Sequence, residues 1–199
     1  KNIQKAYPDN EIISGLAFIC VSRISPGHVH HQDYGKLSLG RYPGGTSKKV
    51  QMLHDMLTAG DVPCVIDNDI VGGRWKKLVW NAPFNPMSVL GGGVDTMQMI
   101  NNPASRPVVR AIMDEVSALA EADGHPLPRG FIQQNISDTE KMTPYKTSML
   151  LDYENHRPME VEAILGNAIR KGQELGVPTP HISTLYALLS LADAKNLAG

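Results

Sequence analysis

Lys77, Asn81 and Asn85 stand at i, i+4 and i+8 in the stretch RWKKLVWNAPFNPMSVL (74–90). On a helix each four-residue step turns the direction by only about 40°, so the three side chains share one polar stripe. Trp75, Leu78, Val79 and Ala82 recur at i, i+3, i+4 and i+7 and mark an apolar face of the same helix, while Trp80 and Phe84 lie beside the stripe. No charged residue occurs from Leu78 to Val94. A solvated helix face carries several charges, so both faces are expected to be covered by protein or ligand. A single lysine near a helix start is most often a solvated surface residue. Two amides in a charge-free setting argue otherwise, because a buried Asn is costly unless something hydrogen-bonds it. One ammonium and two amides then line something other than bulk water, which makes this stripe a candidate site.

A second constellation lies in TSMLLD (147–152), a polar turn (153–157) and PMEV (158–161). Ser148 and Asp152, four apart on one helix, share a face. If Arg157 caps the next helix and Pro158 is its first residue, Glu160 falls in the first turn, where its plain role is to offset the helix dipole by about 0.3–1 kcal/mol. Histidines offer a third set. His28 and His30 on one strand face the same side, but Asp33 points to the opposite face with His31, so neither side collects the three ligands a metal needs. Exposed or hydrogen-bonded strand histidines are the expectation, with no metal. Gly35 and Gly40 have the glycine spacing of a phosphate-binding loop, but the Lys-Ser/Thr that follows in such loops is missing and the segment reads as strand. Gly91-Gly92-Gly93 lacks Gly-x-Gly-x-x-Gly spacing and follows a helix, so it reads as a turn.

These residues need a frame. Residues 11–40 read as strands: IISGLAFICV (12–21) is a largely apolar run expected to be buried on both faces, and Ser25-Pro26-Gly27 is a turn. A helix at 47–58 carries Val50, Leu53, Met56 and Leu57 on one side and ends at Gly60, before a short strand at 62–66. From Asp69 the periodicity is helical. The 74–90 helix is expected to be broken or kinked near Pro83 and Pro86. Asn102-Pro103 starts a helix with Val108, Val109, Ile112, Met113, Val116, Leu119 and Ala120 inward and Gly124 at its end. Further helices are expected at 131–141, 144–153 and 158–175, and from Thr179-Pro180 with Ile182, Leu185, Leu188 and Leu189 buried. The expected fold class is an α+β fragment with two domains, 1–68 and 69–199.

The 199 residues carry a net charge of −1, with 42% hydrophobic and 20% charged residues, which suits a globular protein and leaves no basic patch for nucleic acid. No run approaches the ~18 apolar residues of a membrane span. Cys20 and Cys64 belong to no CxxC pair and read as free thiols of a reducing cytoplasm. The chain opens at Lys1 in polar, helix-like sequence, and is expected to be a fragment of a longer polypeptide.

WKKLVWNAPFNPMSVL, TSMLLDYENHRPMEVEAILGNAI and ELGVPTPHISTLYALL together make the chain resemble the ketopantoate reductases (2-dehydropantoate 2-reductases). The first segment fits that family's Lys with Asn at +4 and +8. The second fits its Ser-Met-Leu-x-Asp with Glu twelve positions after the Ser. The likeness runs through essentially the whole chain. It implies C-terminal strands and a helix of a Rossmann-type NADPH domain at 1–68, then at 69–199 an all-α substrate domain of the 6-phosphogluconate dehydrogenase C-terminal type. The glycine-rich βαβ unit and the Asn-containing loop that closes over substrate are missing. By resemblance, Lys77 is the catalytic cation and general acid at the keto oxygen. Asn81 and Asn85 orient the lysine and the substrate hydroxyl, Ser148 binds the substrate carboxylate, and Glu160 binds substrate and is also the candidate for cofactor contact. The implied reaction is NADPH-dependent reduction of ketopantoate to pantoate, serving pantothenate and coenzyme A synthesis, in a fragment that is itself inactive. A homodimer through the helical domain is the implied partner, beside the 2-keto acid. The alternatives are a paralogue acting on another keto acid, and a non-catalytic helical module for dimerisation or ligand binding.

Overall fold

A computed structural model describes residues 2–198, without the side chains of Asn2 and Asp33. The part that the metal reading gave to Asp33 therefore lies outside the described residues. The chain divides into two compact units, 1–74 and 75–199.

The first unit begins with α1 (Asn2–Ala6), followed by a long antiparallel hairpin of β1 (Ile13–Ser25) and β2 (His28–Arg41). Pro26 and Gly27 turn it, with Gly27 at φ 76°. β2 then pairs in parallel with β3 (Cys64–Ile66) through the crossover helix α2 (Lys48–Ala59), giving a three-stranded sheet in the order β1-β2-β3. Ser47 caps α2 by accepting the Val50 N–H at 3.2 Å. The expectation that 12–21 would be buried on both faces fails. Phe18, Ile19 and Ile24 are exposed, and of β1 only Ser14 and Cys20 are buried. An apolar run does not say how many layers cover it, and β1 pairs with β2 alone among the described strands. Both strand glycines have structural reasons. Gly35 (φ 127°) is the extra residue of a β-bulge, and a side chain at Gly40 would strike the Asp67 carbonyl.

The helical part opens with α3 (Ile70–Leu90), whose Gly72 N–H is accepted by Asp69 Oδ1 at 2.9 Å. This helix runs unbroken through Pro83 and Pro86, contrary to the expected break. Both prolines and their neighbours 82–86 are buried, so surrounding protein holds a segment whose own ladder lacks two N–H donors. Gly92 (φ 82°) and Gly93 (φ 93°) make the turn after it. α4 (Thr96–Asn101) follows, then α5 (Ser105–Ala122), the core helix. Val109, Ile112, Met113, Val116, Leu119 and Ala120 are fully buried on α5 as the periodicity predicts, and Val108 lies at the margin. Asn102 Oδ1 accepts the N–H groups of Ala104 and Ser105, and Gly124 closes α5 at φ 85° while His125 N–H returns to the Ala120 carbonyl.

α6 (Phe131–Lys141) lies where the periodicity puts it. The next two helices start later than expected. α7 (Ser148–Glu154) begins at Ser148, because Thr147 is its cap and Tyr145 is held outside the helix, its carbonyl accepting the Thr96 N–H and its N–H donating to Thr96 Oγ1. Residues 158–160 are not helical either, since Asp193 Oδ1 takes the Met159 N–H at 3.0 Å. A π-helical turn (Glu162–Gly166) then leads into α8 (Asn167–Leu175), and α9 (Pro180–Ala198) ends the fold. On α9 only Ile182, Leu189 and Asn196 are buried, whereas Leu188 is half exposed. The inward stripe repeats every seven residues and is narrower than the apolar pattern suggests.

Two carboxylates lock this frame. Glu115 on α5 accepts the N–H groups of His181 and Ile182 at the start of α9, at 2.9 and 3.0 Å. Asp123, at the end of α5, accepts from Trp75 Nε1 of α3 at 3.1 Å and from Lys171 of α8 at 2.8 Å. Burial pushes the Asp123 carboxyl up, but the Lys171 and Trp75 hydrogen bonds outweigh it and hold the group below its ordinary range. The same carboxylate holds the Lys171 ammonium above its ordinary range. A lowered carboxyl pKa stabilises the fold above the unfolded value near ~3.9 and loses that contribution as the pH falls through the lower, folded value. Asp123→Asn is expected to cost about 1–3 kcal/mol at pH 7. Urea titrations should show the gap between wild type and variant closing as the pH drops below ~4.

Candidate functional site

The site is built on the second half of α3. Lys77 and Asn81 are half-buried on its stripe, and Asn85 is buried with 3% exposure. Among the described residues no hydrogen bond engages the side-chain amide of Asn81 or Asn85. Beside the stripe, the Trp80 ring packs on Phe84 (centroids 4.8 Å apart) and on Tyr145 (6.4 Å). Its indole N–H donates to Thr139 Oγ1 of α6 at 3.1 Å, so the ring is fixed from two sides. This uncharged stretch is enclosed on both sides: Val79, Ala82 and Val89 are buried on the apolar face, and Phe84, Asn85 and Ser88 on the side of the stripe.

α7 docks directly onto this helix. Ser88 Oγ lies 2.7 Å from Thr147 Oγ1 and 2.7 Å from the Asn85 carbonyl, and both hydroxyl residues are fully buried. Thr147 Oγ1 also accepts the Leu150 N–H at 3.2 Å. Ser148 is the first residue of α7, exposed, one peptide bond from this contact. The structure therefore brings the helix of Ser148 against the turn of α3 that carries Asn85. Asp152 forms an ion pair with Arg157 at 2.8 Å, tying α7 to the following loop.

Glu160 is placed differently from the expectation. Its carbonyl accepts the Ile164 N–H at 3.0 Å, so it starts the helical segment rather than sitting in its first turn. The carboxylate is exposed, and among the described residues it has no hydrogen-bond partner. The following π turn is pinned by Glu162, which accepts from Arg170 at 2.8 Å and from the Tyr186 hydroxyl. The Tyr186 hydrogen bond, with Arg170 behind it, lowers the Glu162 carboxyl below its ordinary range. Among the described residues no cluster of His, Cys, Asp and Glu is arranged to hold a metal, and no helix is long and apolar enough to cross a membrane.

Comparison with known proteins places this arrangement. The family model "Ketopantoate reductase PanE/ApbA C terminal" matches residues 69–193, and "Ketopantoate reductase PanE/ApbA" matches 1–44. The chain belongs to the ketopantoate reductase family. A 2-dehydropantoate 2-reductase of Nostoc sp. is 41% identical, the match covering 100% of this chain and 64% of that protein. The crystal structure of 2-dehydropantoate 2-reductase from Methylococcus capsulatus superposes with a TM-score of 0.92 at 48% identity, over 98% of this chain and 62% of that one. The corresponding enzyme structure from Geobacter metallireducens GS-15 gives 0.86 at 35% identity, over 90% and 60%. This chain thus spans a little under two thirds of the length of these relatives. The family likeness agrees with the α+β architecture: a parallel βαβ remnant, then a helical domain.

Ser88 and Thr147 are absent from the sequence-based site. Ser88 continues the stripe of Lys77, Asn81 and Asn85 at i+11, which returns to within about 20° of Lys77, so its signal was a fourth polar position on one line. Thr147 was legible only as a helix cap. Asn85 keeps a little exposure and its amide has no hydrogen-bond partner among the described residues, so an apolar side chain of similar size there removes no protein hydrogen bond. Asn85→Leu is therefore expected to leave thermal stability unchanged or raise it by about 1 kcal/mol in calorimetry, whereas Ser88→Ala is expected to lower it by about 1–3 kcal/mol.

Proposed function

We propose that the protein reduces a 2-keto acid, 2-dehydropantoate in the first instance, with NADPH, and that this chain supplies the substrate half of the site. The observation that supports the reading is the pair of amides, Asn81 and Asn85, without a hydrogen-bond partner among the described residues, on the stripe of Lys77 and on the helix to which the start of α7, next to Ser148, is bonded. The keto oxygen gains negative charge as the carbonyl carbon is reduced. An ammonium held beside it by a low-dielectric wall stabilises that charge and delivers the proton, the role of Lys77. Asn81 and Asn85 orient the lysine and the substrate hydroxyl, and Ser148 at the start of α7 takes the carboxylate. Trp80, fixed by Thr139, offers an apolar wall to the alkyl part of the substrate.

The nicotinamide, when bound, supplies the hydride. Of the residues described, the exposed Glu160 carboxylate is the one suited to its end of the site, as acceptor for a ribose hydroxyl, and it balances the lysine charge. A strand, glycine-rich turn and helix that would cradle a pyrophosphate do not occur among the described elements. The chain alone is accordingly proposed to be inactive, and a homodimer through the helical domain is part of this reading.

Steady-state NADPH oxidation by the full-length protein against linear and branched 2-keto acids tests the proposal. Preference for 2-dehydropantoate is expected, and a higher kcat/KM for another keto acid would move the reading to a paralogous reductase. Lys77→Ala is expected to lower kcat by about 100-fold or more with a smaller change in KM. Near-wild-type turnover in that variant would remove Lys77 from the mechanism and favour a binding module.

A further inference from the structure

We infer that Ser88 and Thr147 are positioning residues, a buried hydroxyl relay that sets Ser148 against Asn85 and so fixes where the substrate carboxylate sits. The inference rests on the reading above that Ser148 and Asn85 meet the substrate. Proton counting gives the relay its direction. Ser88 has one hydroxyl proton, and among the described residues its only acceptor other than Thr147 is the Asn85 carbonyl, 2.7 Å away, which can receive but not donate. With that proton committed, the 2.7 Å contact between the hydroxyls must be donated by Thr147. Thr147 Oγ1 in turn accepts the Leu150 N–H at 3.2 Å. The bonds thus run in one sense from the first turn of α7 to the backbone of Asn85. Both hydroxyls are fully buried, so water does not compete for any of these positions.

Ser148 depends on this relay. Its side chain is exposed and makes no hydrogen bond among the described residues, so its place follows from that of its neighbours. Met149 and Leu150 bury the apolar side of α7 (2% and 1% exposed), but apolar contact is non-directional and lets a short helix slide. The relay is the directional constraint. Its loss should loosen the hold on the substrate without touching the group that transfers the proton.

The test uses the full-length protein with Thr147→Val, Ser88→Ala and Thr147→Ser. Thr147→Val and Ser88→Ala are expected to raise KM for the 2-keto acid about tenfold, with kcat and the KM for NADPH within about threefold. Thr147→Ser, which keeps the hydroxyl, should stay within about twofold of wild type. A fall in kcat and a rise in the KM for NADPH matching the change in substrate KM would mark a purely structural role and overturn the inference, as would an unchanged substrate KM in both single variants. Amide exchange at Leu150 gives an activity-free readout. Ser88→Ala should speed it about tenfold relative to Val116 if the relay holds the α7 start, and unchanged exchange would sink the idea. Should the wild-type protein reduce no 2-keto acid, the functional reading fails by itself while the exchange measurement still decides the relay.

Discussion

Two hydroxyls with no access to water, Ser88 and Thr147, are the constraint on which the candidate site turns. Helix-to-helix packing by apolar side chains tolerates small shifts at little cost, whereas a buried hydroxyl that loses its partner costs about 1–3 kcal/mol. The contact therefore has one acceptable geometry. It joins the least regular part of α3, with its two prolines, to the start of a seven-residue helix too short to be stable alone. Neither segment holds its shape by itself, and each is defined by the other.

Around that contact α5 acts as the post to which the other helices are tied. Its apolar stripe fills the core, and two carboxylates tie other helices to it: Glu115 caps α9, and Asp123 gathers Trp75 and Lys171. The indole of Trp75 stands just before Lys77 on α3, so the anchor at Asp123 and the one at Thr147 hold the polar stripe from both ends. A rigid stripe suits a lysine that must meet a developing charge at a set distance, since misplacement by an ångström is costly in rate.

Much of this was legible in the residues. The periodicity of α5 named its buried face correctly, because a strong 3.6-residue pattern on a central helix leaves one solution. The uncharged run in α3 announced its enclosure, and the spacing of Lys77, Asn81 and Asn85 announced the stripe. Failures came where tertiary bonds override local signals. Pro144 and Pro158 look like helix starts, but Thr96 and Asp193 take the nearby backbone groups and delay both helices. The apolar run of β1 could not report that a strand with a single partner lies largely open. A hydrogen bond between residues 59 positions apart, such as Ser88 with Thr147, leaves no mark on local sequence.

The π turn at Glu162–Gly166 has its own consequence. Asn167 N–H bonds back to the Glu162 carbonyl, one residue further than an α-helical bond spans. That surplus residue acts as a phase shifter between Glu160 and α8. α8 packs against α5 while Glu160, just before the turn, is exposed. With one residue absorbed in the turn, the packing face of α8 and the heading of the Glu160 backbone can be adjusted separately. In this chain the acidic group at Glu160 is thus set apart from the core that α8 helps to form.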